Sequence, residues 1–104
     1  MIRGEVWEAS LPLPIKSRPV LILSRDQMPQ GRQEITVAYL TTKLRSTRAQ
    51  VRLTPADGVR LESEVNLDSI NTIPKVRLMK KICTLSAAKM KEVAEAVTFA
   101  LNLQ

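Results

Sequence analysis

The residues of this chain best suited to act on a substrate are arginines and hydroxyls, and two of them stand at the ends of apolar runs. Arg18 lies in Ser17-Arg18-Pro19-Val20-Leu21-Ile22-Leu23-Ser24. Val20 to Leu23 is a continuous run of β-favouring residues, the pattern of a strand covered on both faces and the best candidate for the central strand. Pro19 cannot donate to a ladder, so it belongs at the beginning of that strand, and it keeps Arg18 extended at the lip of the core. An arginine with a fixed base and a free guanidinium fork has the geometry that planar recognition of phosphate requires. Thr41 closes the run Ile35-Thr36-Val37-Ala38-Tyr39-Leu40, and Thr42-Lys43-Leu44-Arg45-Ser46-Thr47-Arg48 follows with hydroxyls, cations and no acid. Side chains of these kinds make most contacts to nucleic-acid backbones. Strand ends are also commonly Thr-rich and loops commonly basic, so this segment alone selects nothing.

The rest of the composition narrows the chemistry by exclusion. The chain has 104 residues, one cysteine and no histidine. Cys83 therefore has no intramolecular disulfide partner, and a structural zinc site of the Cys/His kind has no ligands. In Ile82-Cys83-Thr84-Leu85 it reads as a small buried thiol rather than a nucleophile. A Ser-His-Asp triad is impossible and no glycine-rich phosphate loop is present, so neither cofactor nor metal is expected. Acid–base steps are left to carboxylates, Arg, Lys, Tyr and hydroxyls.

Sixteen Lys and Arg against ten Asp and Glu give a formal charge of +6. The distribution says more than the total. Thr41 to Arg52 holds Lys43, Arg45, Arg48 and Arg52 with no acid, and Lys75 to Lys91 holds Lys75, Arg77, Lys80, Lys81, Lys89 and Lys91, again with none. A solvated face explains one such run, whereas two in so short a chain favour a nucleic acid or an acidic protein as partner. No apolar run approaches membrane-spanning length and no secretory h-region follows Met1, which predicts a soluble cytoplasmic protein with residues 1–104 as one domain.

The elements that must position these residues follow from periodicity. Val6 to Leu11 alternates as a half-buried strand, with Trp7 as a core anchor. Pro12-Leu13-Pro14-Ile15-Lys16-Ser17 is a stiff, irregular connection leading to Arg18. Ser24 to Gln33 is a loop, Gln50 to Leu53 a shorter strand, and Thr54 to Gly58 a turn. Ser63 to Asp68 and Ser69 to Pro74 read as one or two strands, with Asp68 near a bend, and Met79 to Leu85 as the last strand. Ser86 caps a terminal helix whose apolar stripe is Met90, Val93, Ala94, Val97 and Leu101. The class is mainly β with a C-terminal helix (α+β): a small, strongly bent antiparallel sheet or open barrel covered by that helix.

Taken together these segments resemble the MazF/PemK/Kid family of toxin endoribonucleases, nearly end to end. Arg3-Gly4-Glu5-Val6-Trp7 resembles the family's opening, Arg18 to Ser24 its central signature, and Val37-Ala38-Tyr39-Leu40-Thr41 its strand ending in threonine. Gly58 to Ile73 resembles its segment with an acidic residue ahead of Thr-Ile, and Met90 to Leu103 its closing helix. The specificity lies in their order. The resemblance implies an SH3-like barrel, a homodimer, metal-independent cleavage of single-stranded RNA, and neutralisation by an acidic, partly disordered MazE-like antitoxin.

The resemblance also assigns site residues. Arg18 matches the family's essential arginine and Thr41 its essential threonine. Asp68 matches the acidic position that the Kid branch is thought to use as base, although the arginine accompanying it there falls on Asn66. Asn71 stands where many members carry arginine, and the glutamate-bearing loop that many carry before the arginine is replaced by the short proline-rich connection. Lys16, Thr42, Lys43, Arg45 and Asn71 are candidates for RNA contact by position and chemistry. Attack of a ribose 2′-hydroxyl on the adjacent phosphate builds charge on non-bridging oxygens, which a bidentate arginine and a hydroxyl donor can stabilise. The products would be a 2′,3′-cyclic phosphate and a 5′-hydroxyl. A non-catalytic binding module is the alternative, since a toxin that poisons DNA gyrase shares the fold without nuclease action. A ribosome-associated or structural barrel is a third reading, which the ordered match disfavours.

Overall fold

The computed structural model describes residues 1–103. Six strands, β1 (Glu5–Ser10), β2 (Ser17–Ile22), β3 (Glu34–Thr41), β4 (Gln50–Leu53), β5 (Ser63–Pro74) and β6 (Leu78–Thr84), precede one helix, α1 (Ala87–Ala100). The strands form a single six-stranded sheet in the order β4-β5-β3-β2-β1-β6, with every neighbouring pair antiparallel. The sheet curls into a half-barrel closed by α1.

Strands β2 and β3 occupy the middle of the sheet, as the unbroken apolar run of β2 requires. Leu21 enters a core shared with Ala38, Leu40, Val65 and the helical residues Val93 and Ala96, while Val20 and Ile22 enter a second core with Ala9, Val37 and Ile73. A strand that packs on both faces has no position to spare for a polar residue. The half-buried Trp7 packs against the second core and satisfies its indole by donating to Glu5 Oε1 at 3.0 Å. Its polar edge is thus occupied within the fold, as suits an anchor.

Two sequence expectations are refined. Ser63 to Pro74 is one strand, interrupted where Ala38 pairs with Ile70 but the next residue, Tyr39, pairs with Asn66. Leu67, Asp68 and Ser69 form the resulting bulge: Leu67 stays buried and its N–H reaches Ala49 O at 2.8 Å, while Asp68 is pushed into solvent. The helix begins as predicted, with the Ser86 hydroxyl accepting from Lys89 N–H. Its fully buried positions, however, are Val93 and Ala96, whereas Ala94 and Leu101 are exposed. Ala96 allows close approach to β4 and β5, and Leu101 falls past the last turn as the C-cap. Small residues carry little hydrophobic signal, which is why a stripe centred on Ala96 is hard to see in sequence.

Candidate active site

Strand register brings Arg18 and Thr41 together. Val20 lies opposite Tyr39 and Leu21 opposite Ala38, and the same register continued toward the start of β2 sets Arg18 opposite Thr41. Alternation puts Arg18 on the face of Val20 and Thr41 on the face of Tyr39, so both project from the sheet face opposite α1. The Arg18 guanidinium carbon lies 5.9 Å from the centroid of the Tyr39 ring. Arg18 is half-buried and makes no ion pair among the described residues. The Tyr39 ring stands beside the fork at the outer limit of a cation–π contact.

The Thr41 hydroxyl accepts the Lys43 N–H at 3.1 Å. A hydroxyl that accepts through its lone pair keeps its own hydrogen free to donate. The same bond starts the turn that carries Thr42, Lys43 and Arg45, all exposed, away from the strand end. Lys16 is exposed immediately before β2, in a left-handed conformation at φ 67°.

The remaining predicted residues stand further off. Asp68 occupies the β5 bulge, where its N–H binds Asn66 Oδ1 at 3.0 Å, and no ion pair joins its carboxylate to Arg18. Asn71 pairs with Val37, on the same face as Thr41 but four residues back along β3. That separation corresponds to roughly 13 Å of strand. A cleft of about 570 Å³ opens beside the site, lined by Ser17, Pro19, Leu40, Thr41, Thr42 and Arg60 among others. Leu40 belongs to the helix-side core, while Thr41 places the cleft in contact with the Arg18–Thr41 row.

Sequence reasoning did not anticipate Glu64, which lies opposite Thr41 on one side and opposite Arg52 on the other. It is 1% exposed. Its carboxylate accepts from Arg45 N–H at 2.8 Å, from Ser46 N–H, and from Arg52 Nε and Nη2 at 3.2 and 3.0 Å. Burial pushes the Glu64 pKa up, but these hydrogen bonds and the Arg52 charge prevail and hold it below the ordinary carboxylate value. Burial likewise pushes the Cys83 thiol up, with Asp57 adding to the effect, so it stays protonated and unreactive at neutral pH. No group of three metal-ligating side chains occurs among the described residues.

Comparison with known proteins agrees with this architecture. Residues 2–101 match the family model described as PemK-like, MazF-like toxin of type II toxin-antitoxin system. The chain is 33% identical over 98 residues to the probable endoribonuclease MazF2 of Mycobacterium tuberculosis, covering 93% of this chain and 94% of that protein. It is 35% identical over 88 residues to the endoribonuclease MazF3 of the same species, covering 85% of each. Among solved structures, the M. tuberculosis toxin MazF-mt6 superposes with a TM-score of 0.87 at 33% identity, over 96% of this chain and 98% of that one. A mycobacterial endoribonuclease in complex with its cognate antitoxin gives a TM-score of 0.88 at 27% identity, covering 100% of this chain and 97% of that one. A match over nearly the whole chain, in sequence and in fold, makes this protein a member of the PemK-like, MazF-like toxins of type II toxin–antitoxin systems.

Proposed function

We propose that the chain is a cytoplasmic toxin endoribonuclease, acting as one domain over residues 1–104, that cleaves single-stranded RNA by internal attack of a 2′-hydroxyl. One observation supports the reading above all: an uncommitted arginine fork and a hydroxyl with a free hydrogen stand side by side on an open sheet face, in a chain of this family. The scissile phosphate sits across that pair. Arg18 binds two of its oxygens, Thr41 donates to the charge that builds in the transition state, and both interactions strengthen as the charge grows. The nucleophile comes from the substrate, so no water has to be activated and the residues need no metal to perform the step. The P–O5′ bond breaks as the P–O2′ bond forms, the departing 5′-oxygen takes a proton from solvent, and the products end in a 2′,3′-cyclic phosphate and a 5′-hydroxyl.

A base must take the 2′-hydroxyl proton. Glu64 stands nearest Thr41 along the ladder, but its oxygens are filled by N–H donors, and a carboxylate so held is a poor proton acceptor. We assign the step to Asp68, the solvent-facing carboxylate of the neighbouring strand. Lys16, Thr42, Lys43, Arg45 and Asn71 contact the RNA on either side. The net charge of +6 and the acid-free segments suit both RNA and an acidic MazE-like antitoxin, and the mycobacterial relative solved with its antitoxin supports the second partner. The working unit is a homodimer.

Purified protein is expected to cut a long single-stranded transcript in excess EDTA. Arg18→Ala is expected to lower the rate about 10²–10³-fold with the melting curve unchanged. Full activity in Arg18→Ala would reject the mechanism. Binding to RNA without cleavage by the native chain, with affinity falling steeply as salt rises, would make it a binding module instead.

A further inference from the structure

Glu64 is buried, charged and unused by the cleavage chemistry. Its bonds run to the backbone of an exposed loop: Arg45 N–H to Oε1 at 2.8 Å, and Ser46 N–H to both oxygens at 3.3 and 3.1 Å. The same loop carries Lys43, Arg45 and Arg48 directly after Thr41 in the chain, and residues 42–48 are all exposed. Ser46 is held in the left-handed region at φ 56°. A non-glycine residue stays there only when its surroundings impose it. Arg52 completes the clasp, donating to Glu64 and, through Nη2 at 2.8 Å, to the Ser46 hydroxyl.

We propose that Glu64 is a positioning residue: it clamps the basic loop after β3 in one conformation beside Thr41 and thereby determines which RNA sequences are cut. The inference rests on the chain being an endoribonuclease. Stability alone does not account for the arrangement, because burying the Glu64 charge carries a desolvation cost that a hydrophobic pair of the same volume avoids. A hydrophobic pair, however, has no means of holding two backbone amides. Single-stranded RNA is read through the edges of splayed bases, and a loop that reads them has to be held within about half an ångström. Glu64 lies directly across the ladder from Thr41, so one short lever connects the loop to the reacting phosphate.

The test uses full-length Glu64→Gln on a long transcript, with cut ends mapped and kcat and KM measured on the native protein's preferred short RNA, per folded molecule. The expected result is a loss in kcat/KM of about 10²-fold, with cuts at sequences the native protein leaves whole. Ser46→Pro removes one captured amide and the hydroxyl that accepts from Arg52, and cannot adopt the positive φ, yet keeps both partners of the Glu64–Arg52 ion pair. It is expected to shift the cut sites in the same way, and it carries the test if Glu64→Gln does not fold. A folded variant with native cut sites and native kcat/KM overturns the inference while leaving the nuclease reading in place. Native protein that leaves RNA whole brings down both.

Discussion

Arg18 and Arg52 stand on one face of the sheet, in a single row of cross-strand neighbours that runs Arg18, Thr41, Glu64, Arg52. Arg18 rests on a tyrosine and pairs with no acid among the described residues, whereas Arg52 gives its donors to Glu62, Glu64 and Ser46. The hydrogen bonds it donates to Glu64 foremost raise the Arg52 pKa, and desolvation only partly opposes them. The difference shows what makes a cation functional: equal charge on equal ground acts on a substrate only where its donors are unspent. Removing each arginine should therefore break a different property. Arg18→Ala costs activity about 10²–10³-fold and leaves stability within about 0.5 kcal/mol. Arg52→Ala strands the buried Glu64 charge and is expected to lower the unfolding free energy clearly more than Arg18→Ala does. Parallel urea titrations and initial cleavage rates on the two variants check the split, and equal loss of stability in both would erase the distinction.

The same contrast marks the limit of what sequence reveals. Arg18 was legible because its position depends on its own neighbours, although β2 begins at Ser17, so that Pro19 is its third residue and Arg18, opposite Ala9, lies within the strand and not ahead of it. The Ser86 cap and the strand Gln50–Leu53 were legible for the same reason. Glu64 was not. In Ser63-Glu64-Val65-Asn66-Leu67 it alternates with apolar residues as a solvent-facing position would, and only pairing with β4 brings Arg52, twelve residues earlier, against it. Its other partners are backbone amides, which leave no trace in residue type. Asp68 was singled out through the family resemblance, and no residue pattern shows the bulge at Leu67 to Ser69 that turns it into solvent on the strand beside that of Thr41.

Glu5 extends the comparison to acid pH. Burial pushes its carboxyl up, but the Trp7 indole, the Ile2 N–H and Lys81 more than offset this and bring it to about 2, against 4.5 unperturbed. Lys81 Nζ lies 3.1 Å from Oε2. Because the folded pKa is the lower one, the unfolded chain binds more protons between the two values. The stabilisation is therefore fully present above about pH 4.5 and is lost as pH falls toward 2. Glu64, also lowered, adds loss in the same direction. Thermal melts from pH 6 to pH 3 should show the native protein losing stability, and Glu5→Gln losing distinctly less over that range from a lower starting point. An identical slope in the variant would mean that Glu5 does not titrate with folding.

Tyr39 provides the finest probe of why Arg18 is free but not loose. At 5.9 Å from the ring centroid the guanidinium is at the outer limit of a cation–π contact, far weaker than Arg48 over Phe99 at 4.3 Å. At that distance it is worth no more than the lower end of the exposed range, about 0.5 kcal/mol. Losing it therefore changes the population of the productive arginine conformer by a factor of about two. Tyr39→Leu preserves apolar packing against the second core and removes only the ring, so kcat/KM should fall by that factor with cut sites unchanged. A loss as large as that of Arg18→Ala would mean that the ring itself touches the RNA, as a stacking platform and not merely as the seat of the arginine.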